Sequence, residues 1–215
     1  MQSILRSALF LVLFLPASAQ TADTVPTTCT YDTYRWNVEQ RKAVEYSHVS
    51  HPYSELSEEE VDQGTGCTVC TEDQVTLKIS TLPPFRTCRK LAANVKQTLE
   101  QLVQQGEPID EVVGYRVGKT RGDVDASGNR TRFSNHSYGV AMDINPKQNG
   151  LYENCIEFGP QCRLIKGGPW QPDLTPLSLR PDGRTVAAMR SIGLKWGGEI
   201  KGKQKDFMHF SISGY

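Results

Sequence analysis

The stretch SNHSYGVAMD, residues 134–143, decides the fold. It runs on into VAMDIN (140–145), where Val140, Met142 and Ile144 alternate with Ala141, Asp143 and Asn145. Alternation at period two specifies a strand. One face of that strand is wholly apolar, and the other carries a carboxylate, Asp143. Seven residues earlier His136 stands in a polar loop that closes at Gly139. A loop feeding a strand can aim an imidazole and a carboxylate at one point.

Outward from this strand the pattern mixes helices and strands. PFRTCRKLAANVKQTLEQLVQQG (84–106) sets Leu91, Val95, Leu99, Leu102 and Val103 at helical spacing and predicts a helix that stops at Gly106. DEVVGYRVG (110–118) predicts a strand with Val112, Gly114 and Arg116 on one face. RGDVDASGNRTR (121–132) reads as a polar turn region, and residues 146–180, rich in Pro and Gly, as a long loop. PDGRTVAAMRSIGL (181–194) predicts a second helix and DFMHFSIS (206–213) a closing strand. LSEEEVD (56–62) resembles a short helix with Ser57 as N-cap and Glu60 completing a capping box. There is no regular βαβ rhythm. The expected class is α+β, a small antiparallel sheet with flanking helices.

The chain opens MQSILRSALFLVLFLPASAQ, a cation, a short apolar run and a small-residue ending. That predicts a secretory signal peptide over 1–19 and a soluble, exported protein with no membrane anchor after cleavage. About 195 residues then remain, enough for one good-sized domain. Six cysteines in an exported chain read as disulfides, with fifteen pairings open. Cys155 and Cys162, bracketing a short loop, are expected to pair. Cys67-Thr-Val-Cys70 as a redox pair would need a helix starting at the motif, whereas TEDQVTLKI after it reads as a strand.

Net charge is zero, which removes any global argument for nucleic acid. Residues 20–85 hold four Lys/Arg against eleven Asp/Glu, and residues 86–215 nineteen against thirteen. An acidic extension (20–85) packed on a basic domain (86–215) explains this more simply than a carboxylate-rich substrate.

His136 and Asp143 suit zinc once the thiols are locked in disulfides. A catalytic zinc needs a third protein ligand and an open fourth position, and His209 in KDFMHFSI can supply the third. Asp206, three residues earlier, is a candidate general base. It and His209 would face opposite ways on one straight strand, so Asp206 must lie in a bend before it. Other acid and histidine groups carry less. His48-Val-Ser-His51 reads as a solvated loop. Asp123-x-Asp125-x-Ser127-Gly128 starts like a calcium loop but has Ser134 where the bidentate glutamate belongs. The sequons at Asn129 and Asn135 fit the form, though a glycan at Asn135 would crowd the metal.

Taken together, Ser134-x-His136-x-x-Gly139-x-Ala141-x-Asp143, Gly193-Leu194-Lys195-Trp196-Gly197-Gly198 and Asp206-x-x-His209-Phe210 resemble the D-alanyl-D-alanine carboxypeptidase and L-alanyl-D-glutamate peptidase family of zinc enzymes. VanX- and VanY-like enzymes belong to it. The resemblance spans roughly residues 109–213. It implies a hedgehog-like α+β domain with one Zn²⁺ per chain on His136, Asp143 and His209, and Asp206 as catalytic acid/base. An arginine of a Tyr-Arg pair would hold substrate, here Arg116, with Arg121, Arg130 and Arg132 as rivals. Ser134 either binds substrate or shapes its turn, and Trp196 either walls the cleft or closes the core. The implied function is a secreted peptidase on peptidoglycan stem peptides, expected as a monomer. A zinc peptidase for another peptide, a non-catalytic zinc-stabilised binding module, and a disulfide-rich structural protein without metal are the alternatives.

Overall fold

The computed structural model describes residues 25–215; the expected signal peptide lies outside them. In chain order come β1 (Thr28–Asn37), β2 (Lys42–Pro52), β3 (Gln74–Leu77), β4 (Phe85–Cys88) and helix α1 (Arg89–Gln104). Then follow β5 (Val112–Val113), β6 (Lys119–Val124), β7 (Arg130–Phe133), β8 (Ala141–Ile144), β9 (Leu151–Glu153) and β10 (Arg163–Lys166). Helix α2 (Arg184–Ser191), β11 (Lys195–Trp196), β12 (Gln204–Asp206) and β13 (His209–Ser211) complete the chain. The class is α+β.

The expected alternation in VAMDIN forms β8, in the middle of an antiparallel sheet ordered β11-β13-β8-β5. Met142 and Ile144 of β8 and Phe210 of β13 are fully buried in one core with Val95, Leu99 and Leu102 of α1 and Val186 and Met189 of α2. Burying each such side chain contributes about 1.5–3 kcal/mol. Helix α1 ends as its sequence predicts. Gly106 takes φ +78°, its N–H reaches the Val103 carbonyl at 3.0 Å, and Glu107 N–H reaches Leu102 at 3.0 Å, which satisfies two last-turn carbonyls.

The N-terminal residues build a second sheet, β2-β1-β6-β7. β1 and β2 form a long hairpin, and β1 meets β6 in parallel at Arg35↔Lys119. Disulfides Cys29–Cys70 and Cys67–Cys88 tie this layer together and to the start of α1. Glu60 is a polar hub beneath the hairpin. Its carboxylate accepts from Tyr31 Oη (2.7 Å), His51 Nε2 (2.8 Å), Ser57 N–H (2.8 Å) and Ser57 Oγ (2.8 Å).

Several expectations change. The capping box at Ser57 and Glu60 forms, but around one 3-10 turn, Glu58–Glu60. Helix α1 begins at Arg89 because residues 85–88 pair with β3 instead, placing Phe85 in the core. Residues 121–132 are a strand–turn–strand hairpin, with Asp125 Oδ1 in the turn accepting from the N–H groups of both Ser127 and Asn129 at 2.9 Å. The 146–180 loop contains the β9–β10 hairpin, and Cys155–Cys162 pair as expected. The strand expected over 110–118 shrinks to β5, and that over 206–213 splits into β12 and β13. The two histidines 48 and 51 lie on β2, bonded to Asp32 and Glu60. Cys67 and Cys70 pair elsewhere, so no redox couple exists. Among the described residues no helix is long and apolar enough to cross a membrane.

Burial alone would raise the Glu60 carboxyl, but its four donors hold it down at about 2. A depressed carboxyl adds stability above its unfolded value, near 4.5, that is lost as pH falls towards 2. Glu60→Gln is expected to lower unfolding free energy at pH 7 by on the order of 2–3 kcal/mol. Urea titrations at pH 7 and pH 3 check this: the wild type loses more between the two than the variant does.

Candidate metal centre

His136 is set by its turn. Ser134 is extended, Asn135–Tyr138 form one 3-10 turn, and Gly139 closes it at φ +66°. Only glycine fits there, since a Cβ would lie 2.1 Å from Gln74 Oε1 and 2.5 Å from the Cys88 nitrogen. The Gly139 carbonyl accepts from Cys88 N–H at 3.0 Å and Thr87 Oγ1 at 2.8 Å. The turn is thereby fixed to β4 and holds His136 over β8.

Asp143 and His209 share one rung of the sheet, His209↔Asp143. Cross-strand partners project to the same face, so the two side chains meet. Asp143 Oδ1 lies 3.1 Å from His136 Nε2 and 3.2 Å from His209 Nδ1. All three residues are buried, and their ligand atoms fall within 4.8 Å of one another. Ligands about 2.0–2.1 Å from a tetrahedral ion stand about 3.3 Å apart, so the group fits a small divalent cation. Its donor set of two imidazoles and one carboxylate also fits. Cys29, His51 and Glu60 cluster as well, but Cys29 is consumed by its disulfide.

Burial lowers His136 to about 4, against the pull of Asp143, so its imidazole is neutral and able to ligate near neutral pH. Burial would raise Asp143, but His136, the hydrogen bonds from both histidines, and Arg116 hold it well below the ordinary carboxylate range. Arg116 donates to Asp143 Oδ2 at 2.8 Å and approaches His136 Nδ1 at 2.8 Å. Nδ1 also lies 2.9 Å from the Gly114 carbonyl, a partner that the sequence did not signal.

Asp206 ends β12, and the bend at Phe207 and Met208 lets β13 start at His209. A bend does separate the two residues, but it follows Asp206, which closes a strand of its own instead of lying in the bend. Asp206 Oδ1 and His209 Nε2 are both buried without a hydrogen-bond partner. Burial pushes the Asp206 carboxyl up to about 6; His209 opposes this, Asp143 adds to it, and Lys166 and Arg116 oppose it. A buried carboxyl with a free oxygen beside a ligand cluster is suited to moving a proton.

The structure places Trp196 in the core, with its indole N–H donating to the Phe207 carbonyl at 2.7 Å. Its neighbour Gly197 approaches the bend so closely that a Cβ would sit 2.4 Å from the Asp206 carbonyl oxygen and 3.1 Å from His209 Cβ. Ser134 is half-buried, its hydroxyl 3.3 Å from that of Ser137. Of the four candidate arginines, Arg116 alone hydrogen-bonds the ligand cluster. Arg121 stacks on Tyr215, with its guanidinium carbon 4.1 Å from the ring centroid. Arg130 donates to the Gly122 carbonyl at 2.6 Å, and the Arg132 stem lies against Gly122. Lys166, whose charge reaches Asp206 and Asp143, was hidden in what read as a loop.

Residues 127–212 match the family model described as D-alanyl-D-alanine carboxypeptidase. The resemblance read from the sequence holds over these residues. They contain His136, Asp143, Asp206 and His209, and exclude Arg116. Searches of curated proteins and of solved structures returned no match.

Two outcomes are expected. Gly197→Ala should displace the Asp206–His209 bend and weaken metal binding about 10–100-fold, measurable by competition with a chromogenic chelator. A carboxyl whose folded pKa is raised contributes stability below about 3.8 that is lost as pH rises through about 6. Asp206→Asn should therefore stabilise the chelator-treated protein at pH 8, by about 1–3 kcal/mol, and leave it nearly unchanged at pH 4. Denaturation curves at the two pH values test it.

Proposed function

We propose that the protein is an exported zinc peptidase acting on peptidoglycan stem peptides, at a D-Ala-D-Ala bond or a related one. The observation that carries this reading is the orphan Asp206 carboxylate oxygen beside the converging His136, Asp143 and His209 atoms. A purely structural metal site would close its fourth position and has no use for an adjacent base. The family match over 127–212 supports a peptidase. The three disulfides suit an oxidising compartment, periplasmic or extracellular.

In this reading His136, Asp143 and His209 hold the cation. Zinc so held supplies a Lewis acid and an acidified water. Asp206 takes the proton of the attacking water at its free oxygen and passes it to the leaving amine. Arg116 turns its guanidinium to the scissile carbonyl oxygen and stabilises the charge that develops there. Ser134 shapes the turn under His136 and Trp196 holds the Phe207 backbone, so both position ligands. The hedgehog-like fold and the division into an extension, 20–85, and a peptidase domain, 86–215, belong to the same proposal.

Asp206→Asn should lose about 10²–10⁴ in kcat while keeping its zinc, and a chelator should abolish wild-type turnover reversibly. Incubation with defined muropeptides, with products identified by mass and zinc by elemental analysis, tests both. Wild-type turnover in the Asn variant would falsify the base assignment. No cleavage of any peptide by zinc-loaded wild type would favour the binding-module alternative.

A further inference from the structure

The three-stranded sheet β10-β9-β12 has two unlike faces. Tyr152 of β9, opposite Lys205 of β12, is buried against Phe207 and Phe158. Alternation sends Leu151, Glu153, Gln204 and Asp206 to the other face. The pairing adds Arg163 opposite Glu153 and Lys166 opposite Leu151. Asp206 thus belongs to a row Lys166–Leu151–Asp206, with the row Arg163–Glu153–Gln204 beside it.

That second row opens into a cavity of about 470 Å³ lined by Glu153, Asn154, Gln204, Tyr215, Lys201 and Lys203. Tyr215 is its wall. The tyrosine hydroxyl donates to Gln204 Oε1 at 2.8 Å, and its ring carries Arg121, whose charge in turn reaches Asp206. The cavity and the ligand cluster therefore share one surface. Glu153 is neutralised by its ion pair with Arg163, whereas Lys201 and Lys203 have no acidic partner among the described residues. The cavity is cationic.

Resting on the peptidase reading, we propose that this face is a substrate platform and that the Lys201/Lys203 cavity is a subsite for a peptide carboxylate. Gln204 lies two residues from Asp206 along β12, about 6–7 Å at about 3.3 Å per residue. An extended peptide with its scissile bond at Asp206 would reach the cavity two or three residues away. For a bond one residue from the peptide's C-terminus, those residues lie on the N-terminal side. The selected substrate carries an unamidated acid there.

The test uses two fluorescein-labelled peptides ending in D-Ala-D-Ala that differ only in Glu or Gln, two or three residues before the terminal bond. Zinc-loaded wild type should prefer the Glu peptide about tenfold in kcat/KM, expressed in KM. Lys201→Gln/Lys203→Gln, changed at exposed positions, should cleave the Gln peptide as wild type does and lose the preference. Equal rates for the two peptides in wild type, or a preference that survives in the double variant, overturn the proposal. If neither peptide is cleaved, the D-Ala-D-Ala form of the peptidase reading falls, and fluorescence anisotropy of the same peptides judges the subsite alone. Tighter binding of the Glu peptide by wild type but not by the double variant supports the subsite, and equal binding overturns it.

Discussion

One rung of one sheet carries the rest of this molecule. His209 faces Asp143 because β13 pairs with β8 in a single register, and that register also sets Phe210 against Met142. A slip of one residue would turn Phe210 to the polar side and His209 into the core. The apolar face therefore chooses the pairing that the polar face needs. Phe210, Met142 and Ile144 are fully buried against α1 and α2, and their burial outweighs the cost of holding two imidazoles and a carboxylate away from water.

Charge accounts for the remainder of the site. With His136 neutral, Arg116 balances Asp143 and the ligand cluster is close to electroneutral. Asp206 is the excess. Its carboxyl is buried, one oxygen has no donor, and its pKa rises to about 6 in consequence. A divalent cation among the three ligand atoms would compensate both carboxylates at once. The fold thus carries an electrostatic cost at Asp206, the residue proposed as general base, and such a cost fits a site kept for chemistry rather than for stability.

The central features were legible because they are local. VAMDIN alternates, α1 has its apolar stripe and its terminal glycine, and each ligand lies beside a recognisable turn or strand. What stayed hidden depends on distant partners. β6 and β7 show no apolar alternation, since their pairing is completed by β1 and by Asn37 Nδ2 reaching Asn129 Oδ1 at 2.8 Å across the turn. Residues 85–88 look like helix from spacing alone, yet β3 takes their backbone hydrogen bonds. The sequence leaves Trp196 open between cleft and core, because the partner of its N–H, the Phe207 carbonyl, lies eleven residues on. The split between β12 and β13 could be required from the spacing of Asp206 and His209, although nothing local marks where it falls.

His136 links the candidate metal site to Arg116. Its Nδ1 has two suitors, the Arg116 guanidinium, which needs a lone pair, and the Gly114 carbonyl, which needs a proton. Both cannot be satisfied in one neutral tautomer. Were Nε2 to give its lone pair to a cation, the proton would reside on Nδ1, and only the Gly114 carbonyl would remain a fitting partner. Arg116 would then face an N–H instead of an acceptor, and a cation on Asp143 would weaken the pull of that carboxylate on the guanidinium. A cation held by these ligands would therefore loosen both of the contacts that tie down the Arg116 guanidinium, which is the freedom that the proposed substrate role of Arg116 would need.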